Sequence, residues 1–216
     1  MRQLQIGLFL LMAAGSGPIC GQSFSFGFKG GAPVTSEFAD GFVDESRRYA
    51  AGPTVEVGLP LGLGIEFDAL YRRSGYSLSY GGQLYSSATR EADNVWEFPL
   101  LATYRLRVPV LKPFVEGGWA PRIAHGHSIE SGRYMSSLST YASYYSSSPT
   151  SWPTTHGAVV GGGLRISAGR ITFAPELRYT RWNQPAVQVI FSDGPTCISG
   201  QNQVDFLLGV SFRMKR

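Results

Sequence analysis

Gln203-Val204-Asp205-Phe206-Leu207-Leu208-Gly209-Val210-Ser211-Phe212-Arg213 is the stretch whose reading decides the fold. Successive side chains of a β-strand point to opposite faces. With that period, Val204, Phe206, Leu208, Val210 and Phe212 share an apolar face. Gln203, Asp205, Leu207, Gly209, Ser211 and Arg213 share a mostly polar one. Near the other end, Phe24, Phe26 and Phe28 alternate with Ser25, Gly27 and Lys29 in the same way.

Six more runs lie between these two. Residues 50–59 set Val55, Val57 and Leu59 against Thr54, Glu56 and Gly58, and residues 63–76 set Leu63, Ile65, Phe67, Ala69 and Tyr71 against Gly64, Glu66, Asp68 and Arg72. Residues 94–108 oppose Trp96, Phe98, Leu100, Ala102, Tyr104 and Leu106 to Glu97, Thr103, Arg105 and Arg107. Residues 112–124 divide least clearly, with Val115, Gly117 and Trp119 opposite Phe114, Glu116 and Gly118. Residues 156–167 set Ala158, Val160, Leu164 and Ile166 against Gly161, Gly163 and Arg165. Residues 171–182 set Ile171, Phe173, Leu177 and Tyr179 against Thr172, Glu176, Arg178 and Thr180.

The alternation therefore predicts an all-β chain of eight antiparallel strands. Tight turns fall at Pro60-Leu61-Gly62, Pro109-Val110-Leu111 and Ala168-Gly169-Arg170, and long connections at 34–49, 77–93, 125–155 and 183–202. Short turns on one side and long loops on the other are the habit of outer-membrane barrels. The expected fold is thus an eight-stranded antiparallel up-and-down transmembrane β-barrel. A soluble lipocalin-like barrel is the alternative, with its apolar face turned inward.

Composition agrees with an all-β reading. The chain of 216 residues holds 27 Gly, 13 Phe, 11 Tyr and 4 Trp, with only 16% charged residues. Its mean hydropathy of −0.04 is ordinary. No internal stretch reaches the roughly 20 apolar residues of a membrane helix, and an alternating barrel escapes a hydropathy window altogether. The net charge of +4 comes without a Lys/Arg run suited to nucleic acid. Two cysteines, Cys20 and Cys197, are too few for a disulfide framework.

The first residues read as an export signal. Met1-Arg2-Gln3 is a short positive start, residues 6–14 are apolar, and residues 15–22 form a small-residue exit. Cleavage is expected near Gly21–Gln22, giving a signal peptide over 1–21 and a barrel domain over 22–216. The apolar run is too short for an anchor, and Gly17-Pro18-Ile19 is a poor lipidation box for Cys20. Cys197 then remains as the only thiol after cleavage.

The polar face carries Glu56, Glu66, Asp68, Arg72, Glu97, Arg105, Arg107, Glu116, Arg165, Glu176, Arg178 and Asp205. Buried charge is costly unless it is paired. A ladder of carboxylate–guanidinium contacts should therefore fill the narrow interior, making it a plug rather than a pore. Phe24, Tyr71, Tyr76, Trp96, Trp119, Tyr179, Trp182 and Phe212 stand near expected strand ends, where interfacial aromatics gather. Residues 131–155 are dominated by Ser, Thr and Tyr and read as a mobile exposed loop. Such residues suit an adaptable surface for an extracellular ligand.

The stretch Phe24-Ser25-Phe26-Gly27-Phe28-Lys29-Gly30-Gly31, the Gly-rich strand 157–163 and the closing Phe206-Leu207-Leu208-Gly209-Val210-Ser211-Phe212 resemble the small outer-membrane β-barrel domain family, of the OmpA and OmpX type. The resemblance covers nearly all the mature chain. It implies residence in the outer membrane of a Gram-negative-type bacterium, contact with its lipid, and handling of the last strand by the barrel-insertion machinery. Arg213-Met214-Lys215-Arg216 after Phe212 depart from the aromatic-ended pattern. Such barrels serve as anchors, adhesins, small channels and, rarely, enzymes.

An enzyme would need converging groups. His125, His127, Ser128 and Glu130 are close in sequence, but alternation puts both histidines on one face and Ser128 on the other. They read as polar residues at a loop entry, and His125, His127 and His156 make a weak metal set. No helix follows a Gly-rich phosphate loop, and Gly161-Gly162-Gly163 reads as relief of crowding. The expectation is a non-enzymatic membrane barrel with no cofactor and a structural or surface role. A narrow passive channel is the runner-up, and a lipid hydrolase comes third.

Overall fold

A computed structural model describes residues 23–36, 43–82, 84–106, 108, 111–137, 140–151, 153–185, 188–189, 197–198 and 200–214. The segment 1–21 expected as a signal peptide, with Cys20 in it, and Arg107 lie outside the described residues. The strands are β1 (Ser23–Pro33), β2 (Val43–Gly58), β3 (Leu63–Asp68), β4 (Leu70–Gly81), β5 (Tyr85–Glu97), β6 (Leu100–Arg105) and β7 (Lys112–Ser137). They continue as β8 (Thr140–Ser151), β9 (Thr155–Ala168), β10 (Ile171–Trp182), β11 (Gln188–Val189), β12 (Cys197–Ile198) and β13 (Asn202–Met214). Among the described residues no helix is long and apolar enough to cross a membrane, which says nothing of crossing by strands.

The expectation of an eight-stranded up-and-down barrel of the OmpA and OmpX type is overturned. Among the described residues the main sheet holds eleven strands, and β11 and β12 form a separate two-stranded ribbon. Proline explains part of the difference, because it has no N–H to give to a ladder. The run expected over 63–76 breaks at Ala69, whose N–H donates to the carbonyl of Pro53 in β2 at 3.0 Å. The run expected over 94–108 breaks at Phe98 and Pro99, where Phe98 donates to the carbonyl of Pro121 in β7 at 3.0 Å. Register is the same on both sides of each break: β2 pairs Thr54 with Asp68 and Ala51 with Tyr71, and β7 pairs Arg122 with Glu97 and Trp119 with Leu100.

The long connections supply the rest of the difference. The segment expected as a loop over 131–155 is instead a hairpin, with β7 running to Ser137 and β8 returning beside it. Likewise β4 and β5 pair out to Gly81 and Ser86, into the stretch expected as the 77–93 connection.

β1 pairs with β13 on one side and β2 on the other, so neither flank of β1 is a free edge. Between them the pairings pass through β3 and β4, β5 and β6, β7, β9 and β10. The short connections lie together at one end. Leu61 and Gly62 take positive φ of 64° and 88° in the turn before β3, and Gly169 takes 64° in the turn before β10. Burial alternates along the paired strands: in β13, Gln203, Asp205 and Leu207 are buried while Phe206, Leu208 and Phe212 are exposed. The enclosed face is thus the charged one, with small apolar clusters at Ala50, Leu70 and Leu207 and at Leu101, Ala120, Val159 and Trp182.

Candidate functional site

The most densely bonded part of the molecule is the enclosed face. Lys29 of β1, flanked by Phe28 facing outward, brings its ammonium to Glu66 Oε1 at 2.6 Å, Glu176 Oε1 at 2.9 Å and Asp68 Oδ2 at 3.4 Å. Arg178 of β10, separated from β1 only by β13, meets the same carboxylates. Its Nη2 donates to Glu176 Oε1 at 2.8 Å and its Nε to Glu116 Oε1 at 2.9 Å, while Nη1 lies 2.9 Å from Asp68 Oδ2. Two cations thus hold Glu66, Asp68, Glu116 and Glu176, all buried.

Toward the short-turn end, Arg165 pairs with Glu56 and reaches Glu66 Oε2 at 3.4 Å, with its guanidinium 4.7 Å from the Phe114 ring. Arg105 Nη2 stands 3.8 Å from Glu56 Oε1 and donates to the carbonyl of Leu63 at 3.1 Å. Toward the other end, Arg72 bridges Glu97 at 3.2 Å and Asp205 at 2.8 Å. Gln203 donates to Asp205 Oδ2 at 2.7 Å and accepts from Trp182 Nε1 at 2.9 Å. Arg122 covers the Trp182 ring at 4.0 Å and donates to Thr155 Oγ1 at 3.0 Å.

These positions bring Glu56, Glu66, Asp68, Arg72, Glu97, Arg105, Glu116, Arg165, Glu176, Arg178 and Asp205 to one enclosed face. Sequence reasoning passed over four others buried with them: Lys29, Glu91, Asp93 and Arg122. Lys29 and Arg122 could have been found by parity, since Lys29 alternates with the phenylalanines and Arg122 falls in step with Glu116. Glu91 and Asp93 fell in a stretch read as connection. Trp182 is a correction as well, for it is 2% exposed and not part of an outer aromatic belt. Its parity with Arg178 and Thr180 places it inside. Phe24, Trp96, Trp119, Tyr179 and Phe212 do face outward, and nothing is described of the Tyr76 side chain.

Space inside is scarce. The cavity between Lys29, Glu66, Arg165 and Glu176 has a volume of about 20 Å³, room for one water or so. Glu66, Glu116 and Glu176 bring ligand atoms within 4.8 Å of one another, the one group of metal-ligand type among the described residues. Lys29 and Arg178 already donate into it, so its charge is met by side chains. The histidines do not converge: His127 Nε2 lies 2.6 Å from Ser147 Oγ on the hairpin, while the His156 ring stacks 5.1 Å from Trp119. At the hairpin end, a cavity of about 530 Å³ is lined by Ser86, Ser87, Ser131, Ser143 and Tyr144 among others.

No family model matches the chain, and no curated protein matches it. Among solved structures, the chain is similar to the N-terminal β-barrel domain of Pseudomonas aeruginosa OprF, at 12% identity over 89% of this chain and 97% of that one, with a TM-score of 0.36. Ail, the attachment invasion locus protein of Yersinia pestis, matches at 12% identity over 89% and 97%, with a TM-score of 0.34. Neisserial surface protein A matches at 11% identity over 90% and 99%, with a TM-score of 0.36. Likeness at this level assigns neither a family nor a function.

Proposed function

We propose that the chain is a non-enzymatic integral protein of the outer membrane, exported by removal of residues 1–21. In this reading the enclosed charges are a structural filling and the exposed hairpin end is the working surface. One observation carries the reading: the outward apolar residues join laterally from strand to strand. Across the sheet Phe26 pairs with Val55, Val55 with Phe67, Phe67 with Leu100, and Leu100 with Trp119. On the other side of β1, Phe28 pairs with Val210, Val210 with Phe173, and Phe173 with Ile166. Soluble monomers rarely expose a contiguous apolar patch beyond a few hundred Å². Lipid is the solvent that suits such a face, provided the backbone is paired within the sheet.

The filled interior speaks against a passive channel. A surface role is favoured by the hairpin of β7 and β8, whose Tyr134, Tyr141, Tyr144 and Tyr145 are exposed among serines. Tyr and Ser together give rigid contact area and adaptable hydrogen bonding. The test is fractionation of the expressed protein, together with its gel migration before and after boiling. Recovery with outer membranes and a heat-dependent shift are expected, whereas recovery in the soluble periplasm overturns the reading. Refolded protein in planar bilayers should show no steady conductance.

A further inference from the structure

The short-turn end holds a feature that the charge filling does not explain. There a cavity of about 570 Å³ is lined by Arg105, Lys112, Arg165 and Arg213, with Ser23 and Ser167 beside them. No carboxylate lines it among the described residues. The nearest acid in the network is Glu56, which Arg165 already engages and Arg105 approaches at 3.8 Å. Lys112 and Arg213 have no ion pair or side-chain hydrogen bond among the described residues. The Nε atoms of Arg105 and Arg165 are buried and without hydrogen-bond partners. Deeper inside, the order is reversed: Lys29 and Arg178 face four carboxylates. The chain thus concentrates cations at one mouth instead of spreading them to meet the acids.

Local structure brings these cations together. They come from the end of β6, the start of β7, and the ends of β9 and β13, four strands that reach the same rim. Gly58 leaves room beside them, since a Cβ there would stand 2.6 Å from Arg105 Nη2. Holding like charges in one pocket is unfavourable unless an anion or solvent screens them. Guanidinium forks match the geometry of phosphate, and hydroxyls add neutral donors.

We propose that this pocket is a binding site for a phosphate-bearing anion. Its floor is formed by Arg105 and Arg165, and its rim by Lys112 and Arg213. The volume admits a phosphate or diphosphate group together with its waters. Two sources offer that chemistry, a free phosphate and the headgroup of an anionic lipid. The pocket itself does not depend on the membrane reading, because its cations converge in the folded chain in any solvent.

The test uses the protein refolded in neutral detergent at low ionic strength. Inorganic pyrophosphate is titrated calorimetrically in one arm, and phosphatidylglycerol is added to the micelles in the other and followed by phosphorus NMR. Saturable binding is expected in at least one arm, weakening as salt screens the rim. The arm that responds names the source. The double variant Lys112→Gln, Arg213→Gln should lower affinity about ten-fold or more, as loss of charge-assisted contacts implies. Arg133→Gln, on the distant hairpin, should leave affinity unchanged. Circular dichroism checks that each variant is folded, and Arg213→Gln alone, at an exposed position, serves if the double variant is not. Failure of both probes to bind the wild type, or equal binding by the rim variants, overturns the proposal, whether or not the protein fractionates with membranes.

Discussion

β7 passes through two regions of the molecule, and its halves behave differently. In the first half, Phe114, Glu116, Ala120, Arg122 and Ala124 are buried at alternate positions while Val115, Trp119 and Ile123 face outward. Beyond it, His127, Glu130, Arg133 and Tyr134 are exposed, and neither face is enclosed. The backbone ladder is continuous through both halves, with β5 pairing from Glu97–Arg122 to Tyr85–Tyr134. Alternation therefore records what surrounds a strand and not the strand itself. Where one face is enclosed, each side chain carries a large energetic consequence; where both faces are open, it carries little.

That contrast is broken most forcefully at Arg178. Its guanidinium touches Glu66, Asp68, Glu116 and Glu176, and Arg178→Met leaves Glu66, Asp68 and Glu176 to Lys29 and Arg165 but Glu116 with no ion pair among the described residues. Removing one partner of a buried ionic group costs about 3–5 kcal/mol. The variant should refold poorly or unfold at markedly lower urea, as followed by tryptophan fluorescence. Adding Glu116→Gln should return part of the loss, since Glu116 Oε1 bonds to Arg178. Full stability in the single variant would mean that water replaces the guanidinium, and the interior would not be a tight filling.

Lys29→Met is the next step down, with a loss of about 3 kcal/mol. The effect should be smaller because Glu66 keeps Arg165, and Glu176 and Asp68 keep Arg178. The same residue shows how legible the site was. Lys29 sits in register with Ser25 and Gly27 opposite three phenylalanines, so its inward direction was readable although its central role was not. Pairing partners such as Glu66, 37 residues away, and Glu176, 147 away, depend on register between strands, which one strand's pattern does not contain. The ordered hairpin was hidden for a related reason. With both faces polar, residues 131–151 have no period to read, and their composition looked like that of a loop. Pro53, Pro99 and Pro121 were visible, but alternation continues across them and masked the breaks.

Trp182 and Trp119 sharpen the comparison of faces at fixed chemistry. Trp182→Phe removes the donor to Gln203 Oε1 inside the molecule and weakens the cover over Arg122. A buried acceptor left without its partner costs about 1–3 kcal/mol. Trp119 is 49% exposed and stacks on His156. Trp119→Phe keeps an aromatic ring on the outward face and should shift stability by less than about 0.5 kcal/mol. Paired urea titrations of the two variants read the difference directly, and equal losses would erase the distinction between enclosed and outward faces.

The smallest effect is expected on the hairpin, where Tyr144 makes the best case. Its hydroxyl donates to Ser87 Oγ at 3.1 Å or to Glu130 Oε1 at 3.2 Å, and its ring lies across Gly132. A hydroxyl has one proton, so only one of these bonds is made at a time. Each is exposed, and water replaces it at little cost. Tyr144→Ala should therefore change unfolding stability by no more than about 0.5 kcal/mol, although it removes more side-chain surface than Trp182→Phe does. If it cost more than 1 kcal/mol, the hairpin would be a structural extension of the sheet and not a surface free to vary. A small cost leaves the exposed tyrosines open to being kept for contact with a partner, because stability alone would not require them.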